Sequence, residues 1–150
     1  MTRPGGATEI TEVYLDGKTK SITGTGVVSQ YFTYGVNIDG TQWVQTNTGS
    51  PTSPMWGKIT TDMLGRTVSV EKPGHTGIET TENIFDNQGR LIMTITPGQA
   101  NTLYVYDELG SQIRTGLDID ASGVLETASD LTGGRSLLRR YIPLAMIPQP

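Results

Sequence analysis

A lone histidine, a set of recurring aspartates, two arginines in equivalent positions and one Asp-rich loop are the residues here whose chemistry could do work. His75 is the only histidine, so nucleophilic catalysis with an imidazole base would have to run through it. It sits between Gly74 and Thr76 beside a Pro-Gly turn, and the chain has no Cys. Nothing in the spacing singles out a Ser or Thr as its partner, and an exposed loop histidine is expected. Asp62, Asp86 and Asp107 have the chemistry of an acid and base pair. They recur at equivalent positions, however, and an active site is needed once whereas a turn is needed in every unit. Turn stabilisation is their expected role. Arg66 and Arg90 have the shape to clamp a carboxylate or phosphate, but their equal register predicts pairing with an acidic group or a carbonyl of an adjacent unit. Asp118-Ile119-Asp120-Ala121-Ser122-Gly123-Val124-Leu125-Glu126 has oxygen ligands at positions 1, 3 and 5 and Gly at 6, as in a loop that wraps Ca²⁺. Its twelfth position is Ser129, Asp130 comes one place late, and no helix signal flanks it. The expectation is a hairpin turn in which Asp120 and Gly123 repeat the arrangement of Asp107 and Gly110. No catalytic, cofactor-binding or metal-binding residue is assigned.

The elements that carry these residues are repeats. Thr61-Asp62-Met63-Leu64-Gly65-Arg66, Phe85-Asp86-Asn87-Gln88-Gly89-Arg90 and Tyr106-Asp107-Glu108-Leu109-Gly110-Ser111 share one pattern, with aspartates 24 and then 21 residues apart. Asp120-Ala121-Ser122-Gly123 reads as a weaker fourth copy, and Asp16-Gly17 and Asp39-Gly40 as two shorter turns. Asp can accept N–H groups from inside a reverse turn, and Gly near its end tolerates positive φ. Strands should flank each turn, as the alternating runs Thr102 to Tyr106, Arg66 to Val70 and Arg90 to Ile95 require. Val68, Val70, Ile92, Ile95, Leu103 and Val105 are the expected apolar side chains. Pro73-Gly74 and Pro97-Gly98 end two units, since Pro removes a ladder hydrogen bond. Tyr31, Phe32, Tyr34, Trp43 and Trp56 make the first third aromatic. Alternation puts Tyr31, Thr33 and Gly35 on one face and Phe32, Tyr34 and Val36 on the other, which favours packing over sugar stacking.

Composition agrees. Of 150 residues, 35% are hydrophobic and 17% charged, enough for one ordinary domain with a thin core. The 23 Thr and 19 Gly favour strands and turns over helix, so the chain is expected to be all-β. No run reaches the roughly 18 apolar residues of a membrane span, and no secretory leader is apparent. All fifteen acidic residues fall within 1–130 against eight Lys and Arg, a balance of −7, which argues against a nucleic-acid partner. The last twenty residues carry +3, from Arg135, Arg139 and Arg140.

The turn motifs resemble the YD repeats of the RHS (rearrangement hot spot) family, most clearly at Phe85-Asp86-x-x-Gly89-Arg90-Leu91 and Tyr104-x-Tyr106-Asp107-x-x-Gly110. Asp62-Met63-Leu64-Gly65-Arg66 follows closely. The likeness covers 55–126 well and 9–54 loosely. It implies an open strip of sequential antiparallel β-hairpins. In long members such a strip winds into a shell around a toxin or other polypeptide, at or beyond the bacterial surface. The chain has too few repeats to close a shell and lacks an Asp-Pro-x-Gly-Leu type self-cleavage segment. The resemblance therefore implies a fragment or truncated member. Three regions are expected: an N-terminal β region (1–54) of loose repeat character, YD-type repeats (55–130), and a non-repeat, poorly ordered tail (131–150). The implied function is non-enzymatic and structural, with no cofactor, and the implied partners are further repeats of a longer parent chain and an enclosed polypeptide. A carbohydrate-binding or adhesive β module, with a glycan as partner, is the alternative.

Overall fold

The computed structural model describes residues 5–126 and 131–133. Eleven strands form one sheet in strict chain order: β1 Ile10–Val13, β2 Thr19–Thr23, β3 Gln30–Val36, β4 Gln42–Thr48, β5 Trp56–Thr61, β6 Thr67–Pro73, β7 Ile78–Phe85, β8 Leu91–Ile95, β9 Asn101–Tyr106, β10 Gln112–Asp118 and β11 Leu131–Gly133. Each pairs antiparallel with its neighbour. The sheet is open, and among the described residues there is no helix and none long and apolar enough to cross a membrane. The all-β strip of hairpins is the fold. Residues 131–133 of the expected tail pair with β10; the rest of that tail lies outside the described residues.

Five hairpins, β1–β2, β3–β4, β5–β6, β7–β8 and β9–β10, put their turns on one rim. Their other connections lie on the opposite rim. In four of the five hairpins the strand after the turn carries a bulge, the register skipping Lys20, Val68, Ile92 and Ile113, and a bulge locally raises the twist.

One face carries an apolar row in register, Tyr34, Val44, Ile59 and Val70, ending at Thr81. The other face begins polar, with Gln45, Lys58, Glu71 and Thr80 opposite one another. It turns apolar at Ile84, Met93 and Leu103. The expected apolar set is thus divided: Val70 lies on the Tyr34 face, while Ile95, Leu103 and Val105 lie on the Trp43 face. No second layer covers either face among the described residues. Leu103 and Leu125 are the only buried apolar residues there, at 5% and 4% exposure, and no side chain is fully buried. The aromatic residues expected to pack a core are half-buried on a single layer.

Candidate functional site

The turn rim gathers the residues that the sequence singles out. All five turns share one hydrogen-bond pattern. The Gly at position 4 donates its N–H to the carbonyl of position 1 at 2.9–3.0 Å, and position 1 donates to the carbonyl of position 5 at 2.8–3.0 Å. Gly17, Gly40, Gly65, Gly89 and Gly110 all have φ between +79° and +84°. This is a type I turn closed by a glycine bulge.

The Asp changes place while the turn stays the same. Asp62 Oδ1 accepts the N–H groups of Leu64 and Arg66 at 2.9 Å, and Asp86 Oδ1 those of Gln88 and Arg90 at 2.9 Å. Asp107 does the same for Leu109 and Ser111 at 3.0 and 2.8 Å. In the first two hairpins the Asp stands at position 3: Asp16 Oδ1 accepts from Lys18 N–H at 3.1 Å, and Asp39 Oδ1 from Thr41 N–H at 2.9 Å. The Asp16-Gly17 and Asp39-Gly40 turns are therefore full members of the series, which sequence reasoning missed. The signal was the spacing of the five glycines, 23, 25, 24 and 21 residues.

The second carboxylate oxygen couples one hairpin to the next. Asp62 Oδ2 accepts from Arg66 Nε at 2.7 Å, and Asp86 Oδ2 from Arg90 Nε at 2.7 Å. Held in this way, the Arg66 guanidinium lies 4.4 Å from the centroid of Phe85, and that of Arg90 lies 4.8 Å from Tyr106. Each arginine pairs with the acid of its own turn, and the adjacent unit supplies an aromatic ring. Phe85 and Tyr106, the aromatic residues before Asp86 and Asp107, are thus the seats for the preceding hairpin's arginine. Lys18 lies 5.3 Å from Tyr34 and Lys58 lies 5.5 Å from Trp43. All four junctions between successive hairpins therefore carry one cation–π contact, worth about 0.5–1 kcal/mol each where exposed. Hydroxyls reinforce three of them: Tyr34 donates to Thr19 O at 3.0 Å, Thr61 to Gln42 O at 3.4 Å and Tyr106 to Leu91 O at 2.8 Å.

These contacts set the electrostatics. The Asp86 carboxyl lies below the ordinary carboxylate range, chiefly because the Arg90 N–H binds its charged form, with the Arg90 side chain adding to the effect. At Asp62 desolvation pushes upward, but the N–H and guanidinium of Arg66 and the N–H of Leu64 together outweigh it and hold the group low. Carboxylates in that state are committed anions and structural acceptors.

The rim does not assemble a catalytic constellation. Asp62, Asp86 and Asp107 stand on separate hairpins, each two strand spacings or about 10 Å from the next. His75 is exposed in the β6–β7 connection on the opposite rim. Among the described residues no three His, Asp or Glu side chains are grouped to hold a metal ion.

The 118–126 loop is not a fourth copy of the turn. Asp118, only 3% exposed, anchors it: Oδ1 accepts from Ser122 N–H and Oδ2 from Gly123 N–H, both at 3.0 Å. Asp120 Oδ1 takes Ser122 N–H at 3.1 Å, but Gly123 turns to Asp118, so the Asp107–Gly110 arrangement is not repeated. Arg114 Nη1 donates to Leu125 O at 3.4 Å. Arg114 and Asp118 lie on the same face of β10, so the loop folds back across the Trp43 face.

Trp43 and Trp56 do not share a groove. Trp43 lines a rim concavity of about 600 Å³ with Tyr14, Tyr34 and Val36, while Trp56 lines a separate one with Met55, Lys72 and Pro73. The Trp43 indole lies against Gly35, where a Cβ would collide with it. No family model matches this chain, and no curated protein matches it.

Proposed function

We propose that the chain is a non-enzymatic structural repeat segment of an RHS-type protein, a length of wall built from YD-type hairpins. Its place is the cell surface or the secreted fraction, and in a longer parent chain its partners are further repeats and an enclosed polypeptide such as a toxin. The observation that carries this reading is the thickness of the sheet: one layer, with no side chain fully buried among the described residues. A free-standing domain buries one face against a second layer, whereas a wall has two faces by design. The Asp-Arg-aromatic contacts support it, because at two successive junctions, β6/β7 and β8/β9, they couple one hairpin to the next in the same sense. Leu15, Ile38, Met63, Leu64 and Leu109 stand exposed at the turn tips, where polar residues are the rule. Apolar tips fit a rim that is covered when the wall is complete.

Sequencing the DNA on both sides of this reading frame tests the proposal. Further Asp-x-x-Gly units at 21–25 residue intervals, in this frame or another, are expected. Their absence on both sides would refute it. Saturable oligosaccharide binding lost in Trp43→Ala would favour the alternative, a carbohydrate-binding or adhesive module.

A further inference from the structure

Strands β2 and β3 part before they reach the turn rim. They pair only at Ser21 with Tyr31 and Ile22 with Gln30, whereas β3 pairs with β4 over its whole length. Main-chain groups of a strand alternate in direction. On β3 the odd-numbered residues face β4, as the flanking bonds of Asn37 N–H to Thr41 O and Gly49 N–H to Ser29 O require. Phe32, Tyr34 and Val36 therefore direct their N–H and C=O groups toward the seam that β2 has left.

Concavities open on both sides of this seam, one of about 600 Å³ and one of about 320 Å³, and Tyr14 and Thr33 line both. Two tyrosine hydroxyls span the gap. Tyr14 donates to Phe32 O at 3.0 Å, and Tyr34 donates to Thr19 O at 3.0 Å. The β8/β9 junction also pairs at two positions and is bridged by Tyr106 on Leu91 O at 2.8 Å, with Arg90 4.8 Å from the Tyr106 ring.

We propose that the β2/β3 seam is a binding site for an extended peptide strand, which adds to β3 along Phe32, Tyr34 and Val36. Three features identify the occupant. The seam continues an existing antiparallel ladder, so a strand entering it prolongs an interface already formed. The groups presented are main-chain donors and acceptors at two-residue intervals, and another extended main chain meets them at every step. The Trp43 ring is taken up by Gly35 and Lys58 and the Tyr34 ring by Lys18 and Tyr14, so neither offers the open platform that a sugar needs. Tyr34 and Val36 on one side give the strand an apolar seat, and the tyrosine hydroxyls yield to its N–H and C=O groups. This inference is independent of the wall reading: it needs only the geometry of the first two hairpins.

The test uses the full chain, isotopically labelled, and the capped peptide acetyl-Lys-Thr-Val-Thr-Val-Thr-Lys-amide. At saturating peptide the exchange of the Tyr34 and Val36 amides should slow by about tenfold or more. The same peptide N-methylated at alternate residues should not bind. Val36→Pro removes one seam-facing N–H, leaves the odd-numbered bonds to β4 in place, and should weaken binding about tenfold, the loss of roughly one good hydrogen bond. Unchanged exchange at those two amides would overturn the proposal. So would equal binding of the N-methylated peptide, which would mean apolar adsorption. Binding of cellohexaose at the same residues without peptide binding would overturn it too, and assign the groove to glycans.

Discussion

Gly110→Ala and Gly89→Ala form a matched pair that separates the turn from the Asp-Arg-aromatic contact built on it. Both glycines have φ +83°. Placing an Ala there costs about 1–2 kcal/mol of left-handed strain, and the reduced freedom of the unfolded chain returns about 0.4–1 kcal/mol. The net loss for Gly110→Ala should be near 1 kcal/mol, because its Cβ would meet nothing within 4 Å. At Gly89 the added Cβ would stand 3.0 Å from Arg66 Nη1. A free arginine end would swing away at little cost. This one is held by Asp62 at 2.7 Å and seated over Phe85 at 4.4 Å, so displacing it forfeits a cation–π contact of about 0.5–1 kcal/mol.

Gly89→Ala should therefore cost about 1.5–2 kcal/mol, the net loss expected at Gly110 plus the cation–π contact. Urea unfolding of both variants, with midpoints and slopes fitted, gives the two values. In an Arg66→Ala background the excess of Gly89→Ala over Gly110→Ala should vanish. A neutral Gly110→Ala would refute the argument from positive φ. Equal losses at the two sites, within about 0.3 kcal/mol, would show that the Arg66 seat contributes nothing.

Other consequences follow from the same contacts. A double-mutant cycle on Arg90→Ala and Tyr106→Leu should give a coupling of about 0.5–1 kcal/mol across the β8/β9 junction, and zero coupling would remove the Asp-Arg-aromatic contact from the account. The lowered Asp86 pKa means that its contribution is fully present above the unfolded-state value of about 4 and is lost as pH falls through the folded value. Asp86→Asn should accordingly destabilise at pH 7, and the difference from wild type should shrink below about pH 4; a difference that persists unchanged at pH 2 contradicts this. Because both Asp118 oxygens already accept loop N–H groups, Ca²⁺ should bind no tighter than about millimolar. Calorimetry showing micromolar binding that Asp118→Ala abolishes would overturn that reading.

The hairpins were legible because two periodicities coincide. Alternation over Thr102 to Tyr106 and Asp-x-x-Gly at near-constant spacing both demand strand, turn and strand, and the observed register follows. The first two turns look like shorter forms because their Asp stands at position 3 and not at position 1, yet a carboxylate there caps the same backbone. The arginine partners were half legible. Equal register shows that Arg66 and Arg90 do the same job, but the ring each reaches depends on how far one hairpin is offset from the next, which no local pattern encodes. The 118–126 loop misled for a similar reason. Asp120-x-x-Gly123 has the turn spacing, yet Asp118 at the end of β10 takes the Gly123 N–H and shares that of Ser122 with Asp120. The expected core failed for a global reason: alternation tells which residues share a face, not whether anything covers that face.

A one-layer sheet cannot draw its cohesion from a core, so its stability must be distributed along the junctions, each strand depending on its two neighbours. The junctions are unequal. β2/β3 and β8/β9 each pair at two positions, whereas β4/β5 pairs at six and β6/β7 at five. Side chains partly compensate, but one cation–π contact with one or two tyrosine hydroxyl bonds at each thin junction does not replace several main-chain bonds. Local opening should therefore begin at the two thin junctions and release β1–β2 and β9–β11 as units, while β3–β8 stays intact. Native-state amide exchange reads this directly. The amides of β4–β7 should be the slowest, and those within β1–β2 should exchange together and earlier. Exchange that is uniform across all strands, or β1–β2 amides as slow as those of β4 and β5, would mean that cohesion here is not set junction by junction.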